Sequence, residues 1–154
     1  MEYGSNIQTT WSGYNNAGIA AVAIGCTLSH CASLSLAKAL TIMPIVMHAP
    51  TLKFLANANT RSREIASLIA MRPDFAQNFN QRFHASLLHS INGIQLLNEL
   101  GFITFDNTLF KLKDFAVNSN LGKRSQLINT ASAEIAALLD SSEEELYLNL
   151  RIQL

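Results

Sequence analysis

The chain has 154 residues, 49% hydrophobic and 14% charged, with 11 bases against 11 acids. That length gives one domain with a real core, and a charged share well below the roughly 25% of an average protein excludes a disordered chain. Zero net charge excludes a general nucleic-acid binder built on surplus Lys and Arg, though not a local basic patch; a neutral, charge-poor surface also tends to associate, so a permanent partner is expected.

Residues 1–13 are polar and aromatic and read as a flexible N-terminal arm, followed by an apolar helical part over 14–58. From Tyr3 to Ala37 there is no Asp, Glu, Lys or Arg. A first helix is expected from Asn15 or Asn16, both good caps, to about Leu28. Its apolar run of about 12 residues is shorter than the roughly 20 a membrane span needs, and the acidic, polar start is unlike a secretory signal. No membrane role is expected. A second helix is expected from about Ser33 to Met43, with Leu36, Leu40 and Met43 at helical spacing and Pro44 kinking or interrupting it. Ile45–Met47 reads as an extended piece or one more turn, and the chain is helical again from Thr51 to about Ala58.

The segment 59–116 has the clearest pattern. Ser62 can cap a helix with Ile65, Leu68, Ile69 and Arg72 on one face, ended by Pro73. A short aromatic helix over Asp74–Asn80 follows, with Phe75, Phe79 and Phe83 four residues apart. The strongest helix runs from about Ala85 to Leu100, with Leu87, Leu88, Ile91, Ile94, Leu97 and Leu100 inside and Gly101 as its stop. Phe102–Phe105 and Leu109–Leu112 then read as strands joined by the turn Asp106-Asn107-Thr108. Three helices followed by a hairpin outline a winged helix-turn-helix, with Ala85–Leu100 as third helix and Phe102–Leu112 as wing. Over 117–154, C-terminal helices are expected: one with Leu127, Ile128, Ala131, Ile135, Leu138 and Leu139 inside, and a last one opened by a capping box of Ser142 and Glu145. The fold class is therefore mainly α, with apolar N-terminal helices packed on a winged-helix-like domain and C-terminal helices, forming one compact unit.

Chemical motifs are sparse. No phosphate loop, nucleophile elbow, zinc-protease or dinucleotide motif occurs. Cys26 and Cys31, with His30 and His48, make a Cys2His2 set on paper, but the spacing matches no ordinary zinc motif. Both thiols read as buried small hydrophobes in a reducing, cytoplasmic compartment. His48 reads as a helix-end histidine bonding carbonyls beside the Pro44 turn. Neither catalytic residues, nor metal, nor cofactor is expected. The exposed side of the third helix offers His89, Asn92, Gln95, Asn98 and Glu99 but no Lys or Arg, too little for sequence-specific DNA readout. Lys111, Lys113, Lys123 and Arg124 are the candidates for weak, salt-sensitive phosphate contacts. In the charge-free stretch, Ile24 and Leu28 are the candidates for a partner interface.

Three segments carry a resemblance: Leu40–Thr51 with Pro44 and His48, Phe79–Phe83 with Arg82, and Glu143–Ile152. The chain resembles the middle component of bacterial three-component ABC systems over nearly its whole length. Asn15-Asn16 stands where the family pattern has Asn-Pro, and Lys53 is the first base after His48. The resemblance implies a non-enzymatic adaptor that binds an SMC-like ABC ATPase and links it to an effector component or DNA, in defence against phage and mobile elements. Other partners expected are a second copy of the chain and non-specific DNA. The rival reading is an autonomous winged-helix transcriptional regulator.

Overall fold

The structure, a computed structural model, describes residues 16–57 and 64–154. The N-terminal arm, the Asn15 cap and the Ser62 cap fall outside the described residues. In chain order the elements are α1 (Asn16–Leu28), β1 (Ser33–Ser35), α2 (Leu36–Ala39), α3 (Ile42–Met47), α4 (Ala49–Ala56), α5 (Ile65–Met71), α6 (Phe79–Glu99), β2 (Ile103–Asp106), β3 (Thr108–Lys111), α7 (Gly122–Leu138) and α8 (Glu143–Asn149). Short 3-10 turns at Pro73–Ala76 and Ser119–Leu121 precede α6 and α7. The molecule is mainly helical with one small antiparallel sheet, ordered β1-β3-β2.

The 21-residue α6 organises the core. Its buried stripe is Phe79, Phe83, Ser86, Ser90, Gly93, Ile94 and Leu97, a repeat of three and four residues that keeps one face inward. The middle of that stripe is small because α1 crosses there. A Cβ on Gly93 would lie 2.8 Å from both Ala20 Cβ and the Ala21 nitrogen, so only glycine allows the approach. This overturns part of the expected inside face: Leu88 is 65% exposed, Ile91 44%, and Leu100 is exposed too. Reading the leucines as the core face placed the buried stripe too far round the helix, since close packing marked it with Ser and Gly.

The candidate interface residues Ile24 and Leu28 are 0% and 1% exposed. They do not lie on the surface, because α1 is enclosed by the chain's own core, in which Ala20–Ile24, Cys26 and Leu28 are all buried. The charge-free stretch is thus explained, over its described part, by internal burial. Thr27, the polar exception, donates its hydroxyl to the Ala23 carbonyl at 2.8 Å.

The helix expected over Ser33–Met43 is a strand followed by two short helices. Leu34 alone is buried between exposed Ser33 and half-buried Ser35, the alternation of a strand. The Ser35 side chain then caps α2 by accepting from the Lys38 amide at 3.3 Å. Pro44 sits in the first turn of α3, where a missing amide costs little. Its effect falls upstream, where Leu40 and Thr41 separate α2 from α3, because the proline ring excludes a continuous helix through the carbonyl four residues back. The aromatic helix expected at Asp74–Asn80 is instead the Pro73–Ala76 turn; Asn78 at φ 57° then starts α6, which takes up both Phe79 and Phe83.

Several expectations hold. Gly101, at φ +79°, ends α6: its amide donates to the Asn98 carbonyl at 3.2 Å and that of Phe102 to Leu97 at 3.0 Å, a Schellman pair. The hairpin forms with Asn107, at φ 57°, between the paired Asp106 and Thr108. Ser142 accepts from the Glu145 amide at 3.1 Å. α7 lies along α4, and α8 packs on α5 and α2. β1 comes from the N-terminal part and pairs with the hairpin, so 14–58 and 59–116 share one core.

Candidate interaction surface

The outward face of α6 is defined by what its inward stripe leaves over. Leu88, Asn92, Gln95 and Glu99 follow at three- and four-residue steps, with Ile91 and Asn98 beside them, all exposed. No exposed position of this helix is Lys or Arg. His89, expected on the exposed side, is half-buried. The hairpin that follows exposes Phe105, Phe110 and Leu112 as well.

The four basic candidates are not equivalent. Lys111 Nζ is 2.9 Å from Asp114 Oδ1 and donates to the Ser29 carbonyl at 3.2 Å, so its charge is committed within the chain. Lys113 Nζ lies 4.4 Å from the centre of the Phe102 ring, a cation–π contact at the foot of the hairpin. Lys123 and Arg124 are exposed in the first turn of α7, and neither is ion-paired among the described residues.

Pro44 and His48 serve the architecture. His48 closes α3 and opens α4; its Nδ1 is 2.6 Å from Thr51 Oγ1, and its ring meets Phe75 edge-on. The expected bond to a helix-end carbonyl is thus replaced by a hydroxyl of the next helix. Burial, then the nearby Arg82 charge, lowers the His48 pKa, which keeps it neutral near pH 7. Arg82, quoted only as part of a motif in the sequence, is the joint of this region. Its guanidinium donates to the carbonyls of Gln77 at 2.9 Å, Pro44 at 3.3 Å and Phe75 at 3.3 Å. The third resembling segment arrives at the same end of α6. The Tyr147 ring packs on Phe83 and its hydroxyl donates to the Ala37 carbonyl at 2.7 Å. The Gln153 amide donates to Asn80 at 2.8 Å, and His84 donates to the Gln153 carbonyl at 2.6 Å. All three segments that carry the resemblance therefore converge on the start of α6. A signal for Arg82 existed: a base next to Phe79 and Phe83 on a helix with an apolar face.

The polar pairs do not assemble chemistry. His30 Nε2 is 3.0 Å from Ser132 Oγ, but that hydroxyl donates to the Asn129 carbonyl at 2.7 Å and is buried. The serine proton points away from the imidazole, the reverse of what a nucleophile needs. Both cysteines are free thiols, Cys26 buried as expected and Cys31 only half-buried; burial pushes Cys26 up to about 12 and also raises Cys31, which favours the protonated thiol. Among the described residues no three His, Cys, Asp or Glu side chains come together as a metal site. Nor, among them, is any single helix long and apolar enough to cross a membrane; one pair bent by 99°, Leu36–Met47 with Ala49–Ala56, passes on length and composition only, and much of it is buried in the core. No family model, curated protein or solved structure matches the chain.

Proposed function

We propose that the chain is a cytoplasmic, non-enzymatic adaptor, the middle subunit of a bacterial three-component ABC system. It binds an SMC-like ABC ATPase and links it to an effector component or to DNA, in defence against phage and mobile elements. The observation that carries this reading is the outward face of α6. Leu88 and Ile91 stand in solvent on a rigid helix, among amides and one carboxylate, with no cation. Exposed apolar anchors with a polar surround suit a protein partner. A helix that reads DNA puts Arg, Lys, Asn or Gln against bases and cations against phosphates.

The finer description of the fold as a winged helix is part of the proposal. It is supported by a strand that precedes the helices closing on the hairpin that follows them, in the order β1-β3-β2. In that description α6 is the third helix and β2–β3 the wing. The same wing favours the second reading, an autonomous winged-helix DNA-binding regulator. Against it stand an α6 face without a cation and the internal commitment of Lys111. On the adaptor reading, contact with DNA is weak and sequence-independent, with a log-log salt slope no steeper than about −3 from the three bases left uncommitted, Lys113, Lys123 and Arg124.

The test is co-expression with an SMC-like ABC ATPase, which the proposal expects to be encoded beside this chain. The wild type should retain the ATPase through successive columns. The double variant Leu88→Asp, Ile91→Asp should lose it while keeping its circular dichroism and melting temperature. A wild type that elutes alone, or a double variant that still holds the ATPase, contradicts the reading. A specific operator footprint at physiological salt would favour the regulator.

A further inference from the structure

Among the described residues β1 is an edge strand whose only neighbour is β3. Ser33 faces Phe110, Leu34 faces Leu109, and Ser35 faces Thr108. Two bonds fix the phase of the ladder: the Lys111 amide donates to the Ala32 carbonyl at 3.2 Å, and the Leu36 amide to Asn107 at 3.2 Å. Ala32, Leu34 and Leu36 therefore turn their main-chain groups toward β3, and Ser33 and Ser35 turn theirs away from it. The Ser35 carbonyl begins α2, as that of a capping residue does. What remains on the open side is the amide and carbonyl of Ser33 and the amide of Ser35, with no main-chain partner among the described residues. Ser33 is itself exposed.

That open side borders a groove of about 1090 Å³ between β1 and the junction of α7 with α8. Its far wall is low, made partly of Ala133 and Ala137, which leaves room for main chain. Four carboxylates line it, those of Glu64, Asp140, Glu143 and Glu145, against one lysine, Lys38. Among the described residues none of the four is ion-paired. Unpaired amides beside unpaired carboxylates define an occupant with a free strand edge and positive side chains.

We propose that this groove takes an extended, Lys- or Arg-bearing segment of a partner protein by strand addition to β1. The segment's main chain pairs with Ser33 and Ser35, and its alternate side chains reach the carboxylates. A docking point here, apart from the α6 face, gives the chain a second attachment. The inference does not depend on what α6 binds.

The experiment uses the full chain and three fluorescein-labelled eight-residue peptides. The first alternates Lys with Thr or Val, the second replaces Lys by Glu, and the third is the first with alternate amides N-methylated. Fluorescence anisotropy should show the basic peptide binding at least tenfold tighter than the acidic one, with N-methylation costing at least tenfold. Ser33→Pro removes only an outward amide, so it should leave the sheet intact and weaken the basic peptide tenfold or more. Asp140→Lys with Glu143→Lys should weaken it similarly. Equal binding of acidic and basic peptides overturns the proposal. So does binding indifferent to N-methylation, which would mean charge capture without strand pairing. If Ser33→Pro fails to fold, the methylated peptide on the wild type decides. Co-purification with the ATPase is read separately: its loss in the wild type tells against the adaptor, while the peptide result stands alone.

Discussion

Arg82 shows how one side chain can tie the turn just before its own helix to a segment 38 residues back in sequence. Its planar guanidinium spreads donors over the carbonyls of Pro44, Phe75 and Gln77, and burial lowers its pKa. A lysine would bring a single ammonium with the same charge but could not span the three acceptors. Arg82→Lys should therefore lose on the order of 2 kcal/mol of stability, because carbonyls in a half-buried joint lose their partner. Chemical denaturation of the two proteins checks this; equal midpoints would mean that water or the Lys ammonium satisfies the carbonyls. A base between Phe79 and Phe83 marks Arg82 in the sequence, but its partners could not be read from spacing. Its acceptors are main-chain groups brought together by the turns at Pro44 and Pro73, and carbonyls leave no trace in sequence. The Ser142 cap was legible because its acceptor and donor lie three residues apart, and so was Gly101, whose left-handed backbone demands glycine.

The elements differ in how plainly they announced themselves. The hairpin and the last two helices followed from local chemistry: turn residues, capping and a steady apolar period. α6 was found, but its faces were misassigned, and the reason is specific. Where two helices cross closely the contact residue must be small: Gly93 meets Ala20 and Ala21 of α1, and Ser86 and Ser90 are buried on the same stripe while Leu88 and Ile91 are exposed. This makes a sharp contrast between neighbouring substitutions. Gly93→Ala drives a methyl into the Ala20–Ala21 backbone and should cost about 1–3 kcal/mol by overpacking. Leu88→Ala, at a surface position, should change stability by no more than about 0.5 kcal/mol. Melting curves of the pair decide it: if Leu88→Ala is the more damaging, α6 is turned the other way. β1 escaped notice for a different reason. Three residues give too short an alternation to stand out beside the helical spacing of Leu36, Leu40 and Met43.

At the scale of the molecule, the apolar N-terminal half has its explanation inside the chain. Ile24 and Leu28 belong to the core that α1 shares with α6, so an aspartate at either position should unfold the protein rather than uncouple a partner. Apart from the β1 groove, the surface open to a partner is the side of α6 that the core leaves free, with apolar Leu88 and Ile91 among amides and the carboxylate of Glu99, and no cation. His30 lies 3.0 Å from Ser132 Oγ, but that hydroxyl donates to the Asn129 carbonyl. The central claim, that α6 docks a protein, is reached most directly by hydroxyl-radical footprinting of the chain alone and with the SMC-like ATPase. Leu88 and Ile91 should be oxidised in the free chain and protected in the complex, with Leu154 reactive in both. Unchanged oxidation of Leu88 and Ile91 in a verified complex would contradict it.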